Sequence, residues 1–269
     1  MPDNPPYQQI LYERRGRVAL VTLNRPEKLN AWTGLMEDEF IDAVNRTARD
    51  ESLAVLVVTG AGRGFCAGAD ISGWSQDLAG AAPRRPASPL EARDGSPEVP
   101  IALSRGKPAI AAINGPSIGI GLTMPMACDI RIASDQATFS ARFVKIGLTP
   151  ECGSTRYLPL VAGLPNALFL AMTGRIIDAE EAKARRLVDR VVPHDKLMDE
   201  AMSLADEIAA NPANAVWAAK RLLHENANED DLRRVVTGEV HMLREMRRLP
   251  DHAEAVQAFM EKRPPKFQG

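Results

Sequence analysis

Two glycine turns and one glutamate are the residues of this chain best suited by type and spacing to do chemistry. The first turn, Arg63-Gly64-Phe65-Cys66-Ala67-Gly68-Ala69-Asp70, directly follows the apolar run Leu53–Thr59. Gly68 between two alanines lets a ligand approach the backbone closely. The second turn, Asn114-Gly115-Pro116-Ser117-Ile118-Gly119-Ile120-Gly121, follows the apolar run Pro108–Ile113 and leads into Leu122–Cys128, a predicted short helix. Amides at a helix N-terminus have no internal partner and point at whatever negative charge sits there. Two turns of this kind supply two N–H donors to one thioester oxygen and so stabilise an enolate. Neither turn matches the GxGxxG dinucleotide pattern or the GxxxxGK[ST] phosphate loop, so no nucleotide cofactor is indicated. The glutamate is Glu151, in Gly147-Leu148-Thr149-Pro150-Glu151. The pattern predicts that it opens a helix running to Thr173. An apolar pocket would raise its pKa and a helix N-terminus would lower it.

These residues need elements to hold them. Val18–Leu23 reads as a strand ending in a turn at Asn24-Arg25-Pro26. Thr33–Asp50 carries apolar residues at Leu35, Met36, Phe40, Ile41 and Val44, which is helical spacing with Thr33 as the N-cap. Leu53–Thr59 and Pro108–Ile113 are nearly continuous apolar runs of the kind buried on both faces of a sheet. Ile130–Ala133 and Ala137–Phe139 are shorter strand candidates. Helical patterns then dominate: Arg156–Thr173, Asp178–Arg185, Lys196–Asn211, Ala213–Asn226, Leu232–Arg247 and Asp251–Lys262. The order implies an α/β core over residues 1–195 and a helical oligomerisation region over 196–269, which docks on the core or on a partner subunit. Gln76–Pro100, rich in alanine and proline, reads as a surface loop suited to cover a pocket. Pro125 falls inside the short helix after Gly121, where a proline usually costs about 3 kcal/mol, so a kink that shifts the Ile120 amide is expected.

Composition narrows the function. The chain has 269 residues, 25% charged and 45% hydrophobic, with a net charge of −2. That balance is ordinary for a globular protein and lacks the basic excess of a nucleic-acid binder. At roughly 150 residues per domain, the length suits one large domain or one with a small appendage. The three cysteines, Cys66, Cys128 and Cys152, form no CxxC pair. No disulfide framework or metal site is expected, which fits a reducing cytoplasm. The N-terminal MPDNPPYQQI has no apolar signal core, and no run of about 18 apolar residues predicts a membrane span.

Taken together the motifs resemble the enoyl-CoA hydratase/isomerase (crotonase) family. The resemblance rests on Asn24-Arg25-Pro26-Glu27-Lys28-Leu29-Asn30-Ala31, on Phe65–Ile71, on Asn114-Gly115 through Ala127-Cys128-Asp129-Ile130, and on Gly147–Glu151, in that order. It implies a core of repeated ββα units and a C-terminal helical trimerisation region. It also implies an acyl-CoA ligand, with coenzyme A as part of the substrate and no permanently bound cofactor. A trimer or dimer of trimers follows. The family's oxyanion amides match Ala67 and Ile120, the latter beside Gly119. Lys28, Ala31, Ala67, Gly68, Ala69, Asp70 and Ile71 match positions that bind the CoA portion. Phe259-Met260-Glu261-Lys262-Arg263 resembles the segment whose Phe and Lys, here Phe259 and Lys262, reach a CoA, often that of a neighbouring subunit. Trp74 either lines the acyl pocket or packs.

The family's hydratases use two glutamates, and this chain departs from both. Counted without gaps, their positions hold Thr123 and Phe143, neither of which is a general acid or base near neutral pH. Glu151 matches the single acid of the Δ3,Δ2-enoyl-CoA isomerases. A single base suffices to take a proton from C2 and return it at C4. The expected function is therefore enoyl-CoA isomerisation, with hydration or acyl-CoA binding without turnover as alternatives. Of the remaining titratable groups, Asp70 is expected to bond backbone or the adenine side of CoA, and Asp129 to be structural. His194, His224, His241 and His252 are expected at the surface or an interface.

Overall fold

The computed structural model describes residues 7–73 and 95–267. Its centre is a six-stranded sheet in the order β1-β2-β3-β4-β6-β9. The strands are β1 (Ile10–Arg15), β2 (Val18–Leu23), β3 (Val55–Gly60), β4 (Ala109–Ile113), β6 (Ile130–Ser134) and β9 (Arg190–Val192). Within this sheet only the β1/β2 hairpin is antiparallel; β2, β3, β4, β6 and β9 run parallel. The central strands are buried along both faces, as their unbroken Val/Ile/Ala runs require. Three short strands, β5 (Ser117–Ile118), β7 (Thr138–Ser140) and β8 (Ile177–Asp178), form a second sheet.

One face of the main sheet carries the larger core, which includes Phe40, Phe65, Leu122, Phe139 and Leu158. It is covered by α1 (Gly34–Arg49), whose N-cap Thr33 accepts a hydrogen bond from the Met36 amide, and by α2 (Glu98–Arg105), α3 (Ile120–Met126), α4 (Ser154–Ala162) and α5 (Leu164–Thr173). The short α6 (Ala179–Ala184) adds Ala182 to the same cluster. On the opposite face, α7 (Leu197–Ala209) lays Leu197, Ala201, Ala205 and Ala209 against Val18, Leu20, Val55, Val57 and Ile110. This helix, from the region beyond residue 196, supplies one layer of the core. Exposed apolar side chains lie on α1, α4 and α5 (Leu35, Leu160, Leu164, Leu168 and Met172) and on α8 (Ala213–Asn226), α9 (Leu232–Met246) and α10 (Pro250–Glu261), the last three presenting Trp217, Leu223, Leu232, Leu243 and Met260.

The structure corrects three expectations. The helix expected over 156–173 is two helices, because Gly163 sits at φ 78° and Pro165 stands in the first turn of α5. The helix after the second turn starts at Ile120, ahead of the expected Leu122. The loop expected over 76–100 ends earlier, since α2 begins at Glu98 and buries Val99 and Pro100; residues 76–94 lie outside the described residues. Pro125 is also accommodated where it stands. The Gly121 carbonyl, which an amide at 125 would have bonded, instead accepts the Ser117 hydroxyl at 2.6 Å.

Candidate active site

The two glycine turns are built into each other. Cys66 donates to the Pro116 carbonyl at 3.0 Å and accepts from the Ile118 amide at 2.9 Å, a short parallel pairing that joins β5 to the first turn. Glycine is required at the crossings. A Cβ on Gly121 would lie 2.1 Å from the Cys66 carbonyl oxygen, and one on Gly115 would lie 2.1 Å from that of Arg63. Two buried asparagines fix the loop below: Asn30 donates to the Ala61 and Gly64 carbonyls, and Asn114 to those of Gly62 and Gly64. Sequence reasoning gave neither asparagine a role, although both sit in the quoted motifs.

Where the turns meet, Gly119 (φ 57°) faces the Gly68 Cα. Beyond that contact lie the two amides that matter. The Ile120 N–H heads α3, where no intrahelical acceptor exists, and it takes no acceptor among the described residues. The Ala67 N–H is different: it donates to the Leu29 carbonyl at 3.0 Å. The expected pairing of Ala67 with Ile120 is therefore corrected. In the first turn the Gly68 carbonyl and the Asp70 amide pair with Trp32, which turns the Ala69 amide to the opposite side of the chain, and Ala69 is exposed. Ala69 N–H takes no acceptor among the described residues and directly follows Gly68, whose Cα lies 3.7 Å from where a Cβ on Gly119 would stand. Parallel pairing alternates the direction of successive amides, a register that reading the turn residue by residue does not show.

Glu151 comes to this place in a way the sequence did not predict. It is not in a helix. Cys152 (φ 54°) and Gly153 (φ 69°) are both left-handed and separate it from Ser154, where α4 starts. Its Oε1 accepts the Thr123 hydroxyl at 2.9 Å, while Oε2 is buried without a partner among the described residues. Burial pushes its carboxyl up to about 7; the Thr123 hydrogen bond opposes this, and the nearby Glu37 carboxyl adds to it. The two environments weighed from sequence are thus decided by burial. Thr123 is fully buried, and the buried Phe143 has a ring-edge carbon 4.0 Å from where a Cβ on Gly119 would stand. Thr123 and Phe143, where the resemblance expects the hydratase glutamates, therefore lie near these groups, one as a hydrogen-bond donor to Glu151 and the other as an apolar side chain beside Gly119.

The remaining expected residues divide. Asp70 is tied to Ser72 and, at 2.8 Å, to Arg25; these bonds hold its carboxyl down to about 2, so it stays ionised and braces the 24–31 turn against the first glycine turn. Lys28 is exposed at the end of a short 3-10 helix, Pro26–Lys28, and Ala31 lies next to it with its carbonyl bonded by Arg25. Ile71 is exposed. Phe259 and Lys262 are exposed at the end of α10. Trp74 lies outside the described residues. Asp129 is structural: its carboxylate accepts the Ala109 amide, Lys220 Nζ at 2.9 Å and His224 Nε2 at 2.8 Å, and so joins α8 to the head of β6. His194 bonds Ser134. No group of histidine, cysteine and acidic residues suited to a metal ion occurs among the described residues, nor is any helix among them long and apolar enough to cross a membrane.

The enoyl-CoA hydratase/isomerase family model matches residues 13–269. This chain belongs to that family. The 1,2-epoxyphenylacetyl-CoA isomerase of Escherichia coli K12 is 37% identical over 94% of this chain and 95% of its own. The 2,3-dehydroadipyl-CoA hydratase of the same organism is 31% identical over 97% of this chain and 99% of its own. An enoyl-CoA hydratase structure from Geobacillus kaustophilus HTA426 superposes with a TM-score of 0.87 at 33% identity, covering 98% of this chain and 100% of that one. The fold is thus the crotonase fold, and the chain is an acyl-CoA enzyme of that family.

Proposed function

We propose that this family member is an isomerase that moves the double bond of an enoyl-CoA from C3 to C2, with Glu151 as its single base. The observation that supports this reading is the buried Glu151 carboxyl, hydrogen-bonded by Thr123 and raised to about 7, beside two turns with unpartnered amides. A carboxyl that titrates near working pH exchanges protons in both directions, as a base that must also act as an acid requires.

The thioester oxygen lies on the amides of Ala69 and Ile120. Glu151 takes the C2 proton, and the C2–H electrons pass into the thioester as a dienolate held by those two N–H groups. The same carboxyl, now protonated, returns that proton at C4. The C3=C4 bond is lost, a C2=C3 bond forms, and no other reactant is needed. Lys28, Ala31 and Ile71 lie along the exposed approach and suit the CoA portion, as do Phe259 and Lys262 from α10, of the same or a neighbouring subunit. The apolar surfaces of α8, α9 and α10 suit a trimer or a dimer of trimers.

Hydration is the second reading, favoured by the hydratase names of similar relatives. Thr123 and Phe143 oppose it, because water addition uses two proton-transferring groups and each of these positions has lost its carboxyl. A 3-enoyl-CoA and a 2-enoyl-CoA, supplied separately and followed by absorbance and mass, decide between them. The proposed function predicts conversion of the 3-enoyl thioester without mass gain. Addition of water to the 2-enoyl thioester as the faster reaction would overturn it. Saturable binding with turnover of neither would mark a binding protein.

A further inference from the structure

A second buried carboxyl stands by the site, and neither the motifs nor the mechanism above uses it. Glu37 lies in the first turn of α1, on the side that also buries Met36 and Phe40, and is itself 5% exposed. Acidic side chains are almost never buried this fully without a cationic partner. Among the described residues no cation bonds Glu37. Its Oε2 instead accepts the Ser96 hydroxyl at 2.5 Å and the Trp32 indole N–H at 3.4 Å, and its Oε1 is buried without a partner. Glu151 repeats the arrangement, with one oxygen on a hydroxyl and the other buried and unpartnered.

The Gly95-Ser96 turn sits against both carboxyls. A Cβ on Gly95 would lie 2.8 Å from Glu151 Cβ, the Gly95 carbonyl accepts the Cys152 amide at 3.0 Å, and the next residue, Ser96, holds Glu37. Ser96 has a left-handed backbone, φ 48°. A β-carbon and a positive φ are both disfavoured across this turn, so the turn is built for closeness to Glu151 on one side and for a hydroxyl aimed at Glu37 on the other.

We propose that Glu37 is a positioning residue for the proton chemistry of Glu151, set against it across the Gly95-Ser96 turn. The inference rests on the reading of Glu151 as the base. Two like charges in one desolvated region disfavour joint ionisation, and the direction agrees, since Glu37 pushes Glu151 upward. The groups that face Glu151 are Glu37 from α1, Thr123 from α3, Cys66 from the first glycine turn and Cys152 beside it. Burial raises both thiols, Cys66 to about 12, so neither carries charge near pH 7. Glu37 is thus the one carboxyl among these neighbours, and the turn brings it to Glu151.

The test is a titration of Glu151 itself, read from its side-chain carboxyl carbon in 13C-glutamate-labelled protein and assigned with Glu151→Gln. The Glu37→Gln variant keeps shape and hydrogen-bonding capacity but deletes the charge. Its Glu151 midpoint should fall by about half a unit or more, and Glu37→Asp should restore most of the shift. In C2 proton exchange, the fraction of the high-pH plateau reached at pH 6 should rise about threefold in Glu37→Gln. A folded Glu37→Gln protein with an unchanged Glu151 midpoint overturns the proposal and leaves Glu37 a packing residue. Should that variant not fold, the wild-type curves decide: coupled carboxyls each show a step at the other's midpoint, and two independent curves overturn the proposal. Loss of the Glu151 reading would appear separately, as exchange that survives Glu151→Gln.

Discussion

Replacing Thr123 by valine isolates the hydrogen bond that stabilises ionised Glu151. The side chain is fully buried and its hydroxyl donates to Glu151 Oε1 at 2.9 Å. Valine fills nearly the same volume, so the substitution removes the donor and little packing. A hydrogen bond to a charged group is worth about 1.5–3 kcal/mol, which at about 1.36 kcal/mol per unit corresponds to roughly one to two pKa units. Thr123 lowers the Glu151 pKa against burial, so its loss moves the midpoint upward from about 7. A rise of one unit cuts the ionised fraction at pH 7 from about one half to about one tenth, or roughly fivefold in exchange rate. The assay is C2 proton exchange of an acyl-CoA in heavy water, followed by NMR from pH 5 to 10. The variant should lag about fivefold at pH 7 and recover to within about twofold at pH 9–10. Thr123→Ser, which keeps the donor, should hold the wild-type midpoint. An equal loss at every pH would refute the reasoning, as would an unmoved midpoint, because either would mean that Thr123 does not stabilise the charge on Glu151.

Gly121→Ala should force the two turns apart, since its Cβ would meet the Cys66 carbonyl at 2.1 Å; exchange should drop by about 100-fold or more, the typical effect of losing an oxyanion donor, and a variant that exchanges at the wild-type rate would remove the turns from the site. Lys220→Met leaves the part-buried Asp129 carboxylate with only its His224 and Ala109 hydrogen bonds and should destabilise the protein by about 1–3 kcal/mol in urea unfolding. The raised Glu151 carboxyl also makes stability depend on pH. The folded state holds a proton up to about 7 that the unfolded chain releases near 4.5, so this group's contribution is full below 4.5 and is lost as pH rises through 7, by up to about 3 kcal/mol. Glu151→Gln should flatten that part of the stability curve, as measured by denaturant midpoints at pH 5 and 8.

Much of this was legible in the sequence. The buried parallel strands showed as unbroken apolar runs at Leu53–Thr59 and Pro108–Ile113, and Thr33 was readable as a cap because a hydroxyl preceded a helical period. β1 was missed because its alternation is masked by Glu13, Arg14 and Arg15, and β9 because three residues carry too little period. At the site, the two glycine turns and Glu151 were readable by type. The free amide was not: whether Ala67 or Ala69 points outward depends on pairing with Leu29 and Trp32, tens of residues away. Nothing in the sequence singles out Glu37. Only the Gly95-Ser96 turn, arriving from a distant part of the chain, makes it a neighbour of Glu151.

The most direct measurement of the central claim is C2 proton exchange in Glu151→Gln, paired with acyl-CoA affinity. Glutamine keeps the size of the side chain and its bond to Thr123 but cannot take a proton. General acid–base groups contribute about 100- to 10,000-fold. The Ala69 and Ile120 donors belong to the backbone and survive the substitution. The account predicts that exchange and 3-enoyl-CoA turnover both fall by at least about 100-fold, while affinity stays within about threefold. Exchange at the wild-type rate in Glu151→Gln would contradict it and remove Glu151 from the chemistry.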